Sequence, residues 1–95
     1  MLSYTIDDKI ELPLTTSVEV TIDFATGKRW LFFVTPELLA SVGDLVEGTH
    51  VRLHLGERHM IVVSDLTAAV IDSVLRQLAA AGELESRTVP LSGGA

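Results

Sequence analysis

The chain has 95 residues, of which 47% are hydrophobic and 21% charged, and it contains no cysteine. This composition predicts one folded domain, and it excludes a disordered chain, disulfide bonds and thiolate metal sites. The net charge of −6 argues against binding to nucleic acid, and the absence of a signal sequence or a long apolar run predicts a cytoplasmic protein without membrane contact.

The N-terminal segment 4–12, YTIDDKIEL, has apolar residues mostly at even positions. It predicts either two short strands around a turn or one irregular edge strand. Pro13 follows and interrupts any hydrogen-bonded ladder at that point, because proline has no backbone N–H to donate.

Residues 17–34 predict a β-hairpin, because apolar and polar side chains alternate through 18–24 with the period of a half-buried strand. A turn at 25–27, with Gly27 in the left-handed region, suits those residues. This turn pairs Ile22 with Trp30 and sets Asp23 opposite Arg29.

The same register divides the second strand of the hairpin into two faces. It assigns Trp30 and Phe32 to the core, and it leaves Leu31 and Phe33 on the opposite face. A strand that is apolar on both sides predicts a central position or a second covered face.

Thr35, Pro36 and Glu37 predict a helix start. Thr35 suits the N-cap, proline fits the first helical position, and the carboxylate complements the helix dipole. We expect a helix of about two turns that ends at Gly43.

Residues 49–63 predict a second hairpin with an apolar face of Val51, Leu53 and Leu55, joined by Met60 and Val62. The opposite face holds His50, Arg52 and His54. A two-residue loop at 56–57 places His54 across from His59, whereas a four-residue loop at 56–59 does not. The sequence leaves both registers open.

The C-terminal third predicts the longest helix, capped by Ser64 or Asp65 and running to about Ala81, because apolar residues recur there at three- and four-residue spacing. Gly82 suits the C-cap. A short edge strand is expected at 87–89. Residues 1–91 thus form a single domain, and residues 92–95 are expected to be a flexible tail.

These elements predict an α+β domain of order β-β-β-α-β-β-α. We expect an antiparallel sheet of about four or five strands, with the long C-terminal helix packed on one face. No family resemblance emerges from the sequence.

The candidate binding residues are Arg52, His54, Arg58 and His59, with Glu57 the only acid among them. They form the one basic patch in an acidic chain, and they favour a site for an anion or a small molecule. The alternative without a function is that these residues form the solvent-exposed polar face of an amphipathic hairpin.

The candidate interface residues are Leu31, Phe33, Ile61 and Val63. In either register Ile61 and Val63 share the polar side of the second hairpin, and Leu31 and Phe33 join them if both hairpins form one sheet. An exposed apolar strip of this kind usually marks an interface, and a symmetric dimer is its simplest form.

Catalytic signatures are absent from the sequence, and the histidine spacing matches no metal-ligand motif, so no cofactor or metal is predicted. The leading hypothesis is a non-enzymatic interaction protein, a homodimer that binds a protein partner through an outer sheet face or edge. An acidic protein that docks on a basic protein partner is one version of it. An anion- or small-molecule-binding domain is the alternative. A metal-dependent hydrolase with His54, His59 and Glu57 as metal ligands is the weakest of the three hypotheses.

Overall fold

The computed structural model of the chain describes residues 2–14 and 16–91. In chain order its elements are β1 (Tyr4–Ile6), β2 (Val18–Phe24), β3 (Gly27–Val34), α1 (Pro36–Ser41), β4 (Asp44–Leu45), β5 (Arg52–Leu53), β6 (Met60–Val62), α2 (Ala68–Ala80), a 3-10 turn (Glu85–Arg87) and β7 (Val89–Pro90). The predicted tail at 92–95 lies outside the described residues.

A five-stranded sheet forms the centre of the molecule, in the order β1-β2-β3-β6, with β7 also paired to β3. β2 runs antiparallel to both β1 and β3. β7 is antiparallel to the first half of β3, whereas β6 is parallel to its second half. β3 is therefore the central strand, as its apolar sequence predicts.

The core lies between one face of this sheet and α2. Ile71 and Leu75 of the helix pack with Val20 and Ile22 of β2, and all four are at most 1% exposed. The predicted α+β fold, with five strands and a long C-terminal helix on one face, is confirmed.

The register of the first hairpin differs from the prediction by one residue. The turn contains only Ala25 and Thr26, so Ile22 pairs with Arg29 and Asp23 pairs with Lys28. Because successive side chains of a strand point to opposite faces, a slip of one residue exchanges the two faces of β3.

The exchange reverses the predicted burial of this strand. Leu31 and Phe33 lie in the core and are 0% exposed. Trp30 and Phe32 are half-buried on the opposite face. The assignment of Leu31 and Phe33 to an exposed interface is therefore wrong.

The second hairpin does not form. β5 pairs with β4, and β6 pairs with β3 in parallel. Ile61 sits beside Phe33 in that pairing, and both Ile61 and Val63 pack against the core. Their assignment to an exposed strip is also wrong, since this strip faces α2.

The caps explain where the helices begin and end. The Leu38 N–H donates to Thr35 Oγ1 at 3.2 Å, which confirms the predicted start of α1. α2 begins later than predicted, because Thr67 is its cap and accepts from the Val70 N–H at 3.1 Å. Gly82, at φ +73°, follows the C-terminal end as expected.

Candidate functional site

The segment between α1 and β6 forms a separate two-stranded ribbon made of β4 and β5. Asp44 pairs with Leu53 and Leu45 with Arg52. The ladder continues through a hydrogen bond of 2.8 Å from the Val46 N–H to the Val51 carbonyl. Residues 43–55 are therefore a β-ribbon with two faces, and we call this segment the ribbon.

One face of the ribbon is turned toward α1. His54 Nε2 lies 2.7 Å from the Leu39 carbonyl oxygen of that helix. An Arg52 guanidinium nitrogen donates to the Gly43 carbonyl at 2.9 Å. The polar side chains of β5 thus bind backbone oxygens of their own chain.

Gly43 permits this close packing. Its φ is +100°, a conformation that residues with a side chain rarely adopt. A Cβ at this position would lie 2.7 Å from His54 Cε1, which is too close for a non-bonded contact. Gly43, two residues after the end of α1, therefore leaves the space that the His54 ring occupies.

The other face of the ribbon is mostly apolar and points to solvent. Its apolar residues are Val46, Val51, Leu53 and Leu55, which we call the apolar ribbon face, and the exposed Asp44 lies beside Leu53 on the same side. These apolar residues are 39%, 58%, 49% and 88% exposed, respectively. Together they expose on the order of 400 Å², within the range of ~300–600 Å² at which the largest patch of a monomer is often functional.

The molecule is more extended than a compact domain of the same length. The radius of gyration is 14.2 Å, against about 12–13 Å for a compact domain of this length. Every residue of 40–51 is exposed. The ribbon is therefore exposed, and none of the described residues 2–14 and 16–91 forms a second layer over its apolar face.

An open cavity lies at the base of the ribbon, between α1 and β6, and encloses about 340 Å³. We call it the α1–β6 cavity. Its apolar lining comes from the sheet, the helix and the residue after the helix: Phe32, Val34, Leu38, Leu39, Val42 and Met60. Its polar lining comes from Thr16, Ser17, His54 and Glu57.

His59 is packed against aromatic side chains and is not open to solvent. Its ring lies 4.7 Å from that of Trp30 and 5.0 Å from that of Phe32, in edge-to-face contact with each. The residue is 9% exposed, and its Nε2 atom is 3.5 Å from a carboxylate oxygen of Glu57. Such packing fills the outer face of the sheet beside β3.

The predicted binding residues therefore do not converge. Arg52 and His54 are engaged at the ribbon base, His59 is packed against aromatic rings, and Arg58 is exposed. Binding of an anion by these four residues stays a prediction, and their geometry gives it little support.

The residues that sequence reasoning missed are those of the apolar ribbon face. Their alternation with Arg52 and His54 gave a clear signal of two faces. The apolar face was expected to lie inward, as is usual for an antiparallel strand pair. The structure turns it outward.

A polar cluster joins β1 to α2 on the other side of the molecule. The Tyr4 hydroxyl donates to Asp72 at 2.6 Å, and Arg76 Nε donates to the same carboxylate at 2.8 Å. The hydrogen bond from Tyr4, followed by that from Arg76, lowers the pKa of Asp72. The same bond to Asp72 raises the pKa of Tyr4.

In residues 2–14 and 16–91, no three His, Asp or Glu side chains come together as a metal site would require. No helix in this part of the chain is long and apolar enough to cross a bilayer. Comparisons with protein-family models, curated proteins and solved structures give no match to this chain.

Proposed function

We propose that this chain is a non-enzymatic interaction protein that acts as a homodimer, with the apolar ribbon face at the centre of the interface. The observation that carries the proposal is the orientation of the ribbon. Arg52 and His54 turn toward the protein, whereas Val51, Leu53 and Leu55, which alternate with them, are exposed to water, the reverse of the usual arrangement. A second molecule on the apolar face would remove that exposure.

The size of the face supports a specific contact. A standard interface buries about 800 Å² on each partner, and somewhat more than half of that area is apolar. The apolar ribbon face supplies roughly 400 Å² of exposed surface. Polar residues of the ribbon can supply the surrounding rim.

The charge of the ribbon is compatible with a contact between two copies of the chain. Residues 42–60 contain three acidic residues and two arginines, whereas the rest of the chain contains ten acidic residues and five Lys or Arg. Two copies repel each other over most of their surface, since each carries a net charge of −6. Residues 42–60 contribute a net charge of only −1, so two ribbons can meet at a small electrostatic cost.

The test is sedimentation equilibrium of the purified chain over a range of concentrations, compared with Val51→Asp. We expect the unchanged chain to be a dimer and Val51→Asp to be a monomer, because a carboxylate would be buried without a partner at the interface. Leu12→Asp is a matched control, since Leu12 and Val51 are both 58% exposed. It should leave the dimer intact.

Circular dichroism would establish that both variants are folded. A monomer at every concentration up to the millimolar range contradicts the proposal. Equal loss of the dimer in Val51→Asp and Leu12→Asp would place the interface elsewhere.

A further inference from the structure

The face of the sheet opposite α2 carries three aromatic rings in mutual contact, those of Trp30, Phe32 and His59, which we call the aromatic cluster. The rings of Trp30 and Phe32 are 5.8 Å apart and inclined by 31°, and the His59 ring stands edge-on to both. His59 is 9% exposed, whereas Trp30 and Phe32 are only half-buried. The cluster is therefore held in place by its own contacts and still presents ring surface to water.

Two carboxylates lie beside the aromatic cluster along β2 and the residue after β1. Glu19 pairs directly with Phe32 across the β2–β3 ladder, so the two side chains share one face of the sheet. Thr21 pairs with Trp30 in the same way, and its Oγ1 atom donates to a carboxylate oxygen of Asp7 at 2.6 Å. Both acidic residues are exposed and lie on the same face as the rings.

A third carboxylate lies beside the remaining ring. An oxygen of the exposed Glu57 is 3.5 Å from His59 Nε2. Farther along the same face, Lys28 pairs with Asp23, and their charged atoms are 3.8 Å apart, so the charges of these two residues offset each other. The face is thus aromatic at its centre and acidic around that centre.

We infer that this face of the sheet binds a basic, arginine-containing segment of a partner protein, with an arginine side chain on the aromatic cluster. A planar guanidinium group stacks on aromatic rings and also pairs with carboxylates, so it complements both features of the face. The net charge of −6 attracts such a segment over a longer distance. The contact uses the sheet and not the apolar ribbon face, so it does not rest on the proposed homodimer.

Tryptophan fluorescence tests this contact, because the chain contains a single tryptophan and its emission reports on the aromatic cluster. The probe is a tetra-arginine peptide with blocked ends, titrated at low salt. We expect a saturable change in emission, and none with tetra-citrulline, which has nearly the same shape without the charge. Tetra-lysine should bind about threefold more weakly, because an ammonium group lacks the stacking contact of a guanidinium.

Two variants that each remove one negative charge separate a local contact from the general attraction of an acidic chain. Glu19→Gln removes the carboxylate opposite Phe32 and should raise the Kd of tetra-arginine about threefold. Glu83→Gln is the matched control, because Glu83 is also exposed but follows α2, which covers the other face of the sheet. It should leave the Kd nearly unchanged. Circular dichroism would establish that both variants are folded.

Four results would overturn the inference. The first is the absence of a saturable change with tetra-arginine up to millimolar concentration, and the second is an equal response to tetra-citrulline. Equal increases of the Kd in Glu19→Gln and Glu83→Gln would show that only the net charge attracts the peptide. Equal binding of tetra-lysine and tetra-arginine would show that no guanidinium stacks on the aromatic cluster.

Discussion

Two parts of this molecule share one sequence pattern and have opposite environments. In β2 the apolar residues Val18, Val20 and Ile22 alternate with polar ones, and all three are at most 1% exposed. In the ribbon Val51 and Leu53 alternate with polar residues in the same way, yet they are 58% and 49% exposed. Alternation therefore defines two faces of a strand without defining which of them is covered.

The difference arises from what lies above each strand pair. A helix of 13 residues is about 20 Å long, and α2 extends over the five-stranded sheet. In the part of the chain that the structure describes, no element packs on the apolar ribbon face. The covered face is complete within the chain, and the exposed face is the one to which we propose that a second molecule binds.

The largest expected effect of a substitution lies on the covered side. Phe33→Ala should lower the free energy of unfolding by about 3–5 kcal/mol, because it removes a fully buried ring and leaves a cavity. Leu55→Ala should change it by less than about 0.5 kcal/mol when the protein is dilute enough to be monomeric. Urea unfolding followed by circular dichroism measures both values.

One result for Leu55→Ala would contradict the expected difference in unfolding free energy between these two variants. A loss of several kcal/mol for Leu55→Ala in the monomer would mean that this residue is buried within its own chain. The ribbon would then be packed against the domain, and the argument for a partner on its apolar face would fall.

A smaller effect is expected at the junction between the two parts. Gly43→Ala should cost about 2 kcal/mol, because alanine at φ +100° is strained and its Cβ would displace the His54 ring. Gly48→Ala, in the same ribbon at φ +77° with open space around it, should cost about 1 kcal/mol from strain alone. Thermal unfolding of both variants measures the difference.

Amide hydrogen exchange measures whether Gly43→Ala loosens the contact between the ribbon and α1. In Gly43→Ala the Val46 N–H should exchange faster, since its bond to the Val51 carbonyl depends on a ribbon held at its base. Adding His54→Ala should recover part of the stability by removing the clash. Identical losses in Gly43→Ala and Gly48→Ala would show that His54 does not hold the ribbon.

Much of the fold could be predicted from local signals. Thr35 and Pro36 mark the start of α1, Gly82 marks the end of α2, and the alternation of β2 identifies its buried face. Each of these signals acts within a few residues of the feature it determines. The α+β class follows from their order along the chain.

The wrong predictions concern the register of β3 and the pairing of residues 49–63, which local signals do not determine. β3 is apolar on both faces, so hydrophobicity could not choose between two registers one residue apart, and the turn length decided it. Residues 49–63 resemble a hairpin in sequence. The chain instead uses 35–59 as the long connection that a parallel pair of strands requires, so that β6 can join β3.

The candidate site was misplaced for the same reason. Leu31, Phe33, Ile61 and Val63 were expected to share an exposed strip, but each lies on the face toward α2. The alternation of the ribbon did separate Val51 and Leu53 from Arg52 correctly. Only the three-dimensional arrangement shows that the apolar side of the ribbon is left uncovered.

The smallest expected effect concerns the polar cluster that closes the covered side, where Asp72 accepts hydrogen bonds from Tyr4 and Arg76. These bonds lower the pKa of Asp72 from its usual value of 3.8. A lowered pKa in the folded state stabilises the fold above the unfolded value, and this contribution is lost as the pH falls through the folded value. The melting temperature of Asp72→Asn should therefore be below that of the unchanged chain at pH 7 and should approach it below pH 3.8.

A double-mutant cycle assigns the effect to the contact between β1 and α2. In a Tyr4→Phe background, Asp72→Asn should lower the melting temperature at pH 7 by less, because the hydrogen bond to Asp72 is already gone. The same decrease in both backgrounds would mean that Tyr4 and Asp72 act independently. The covered side would then depend on its apolar core alone, and β1 would be held there by its pairing with β2 rather than by α2.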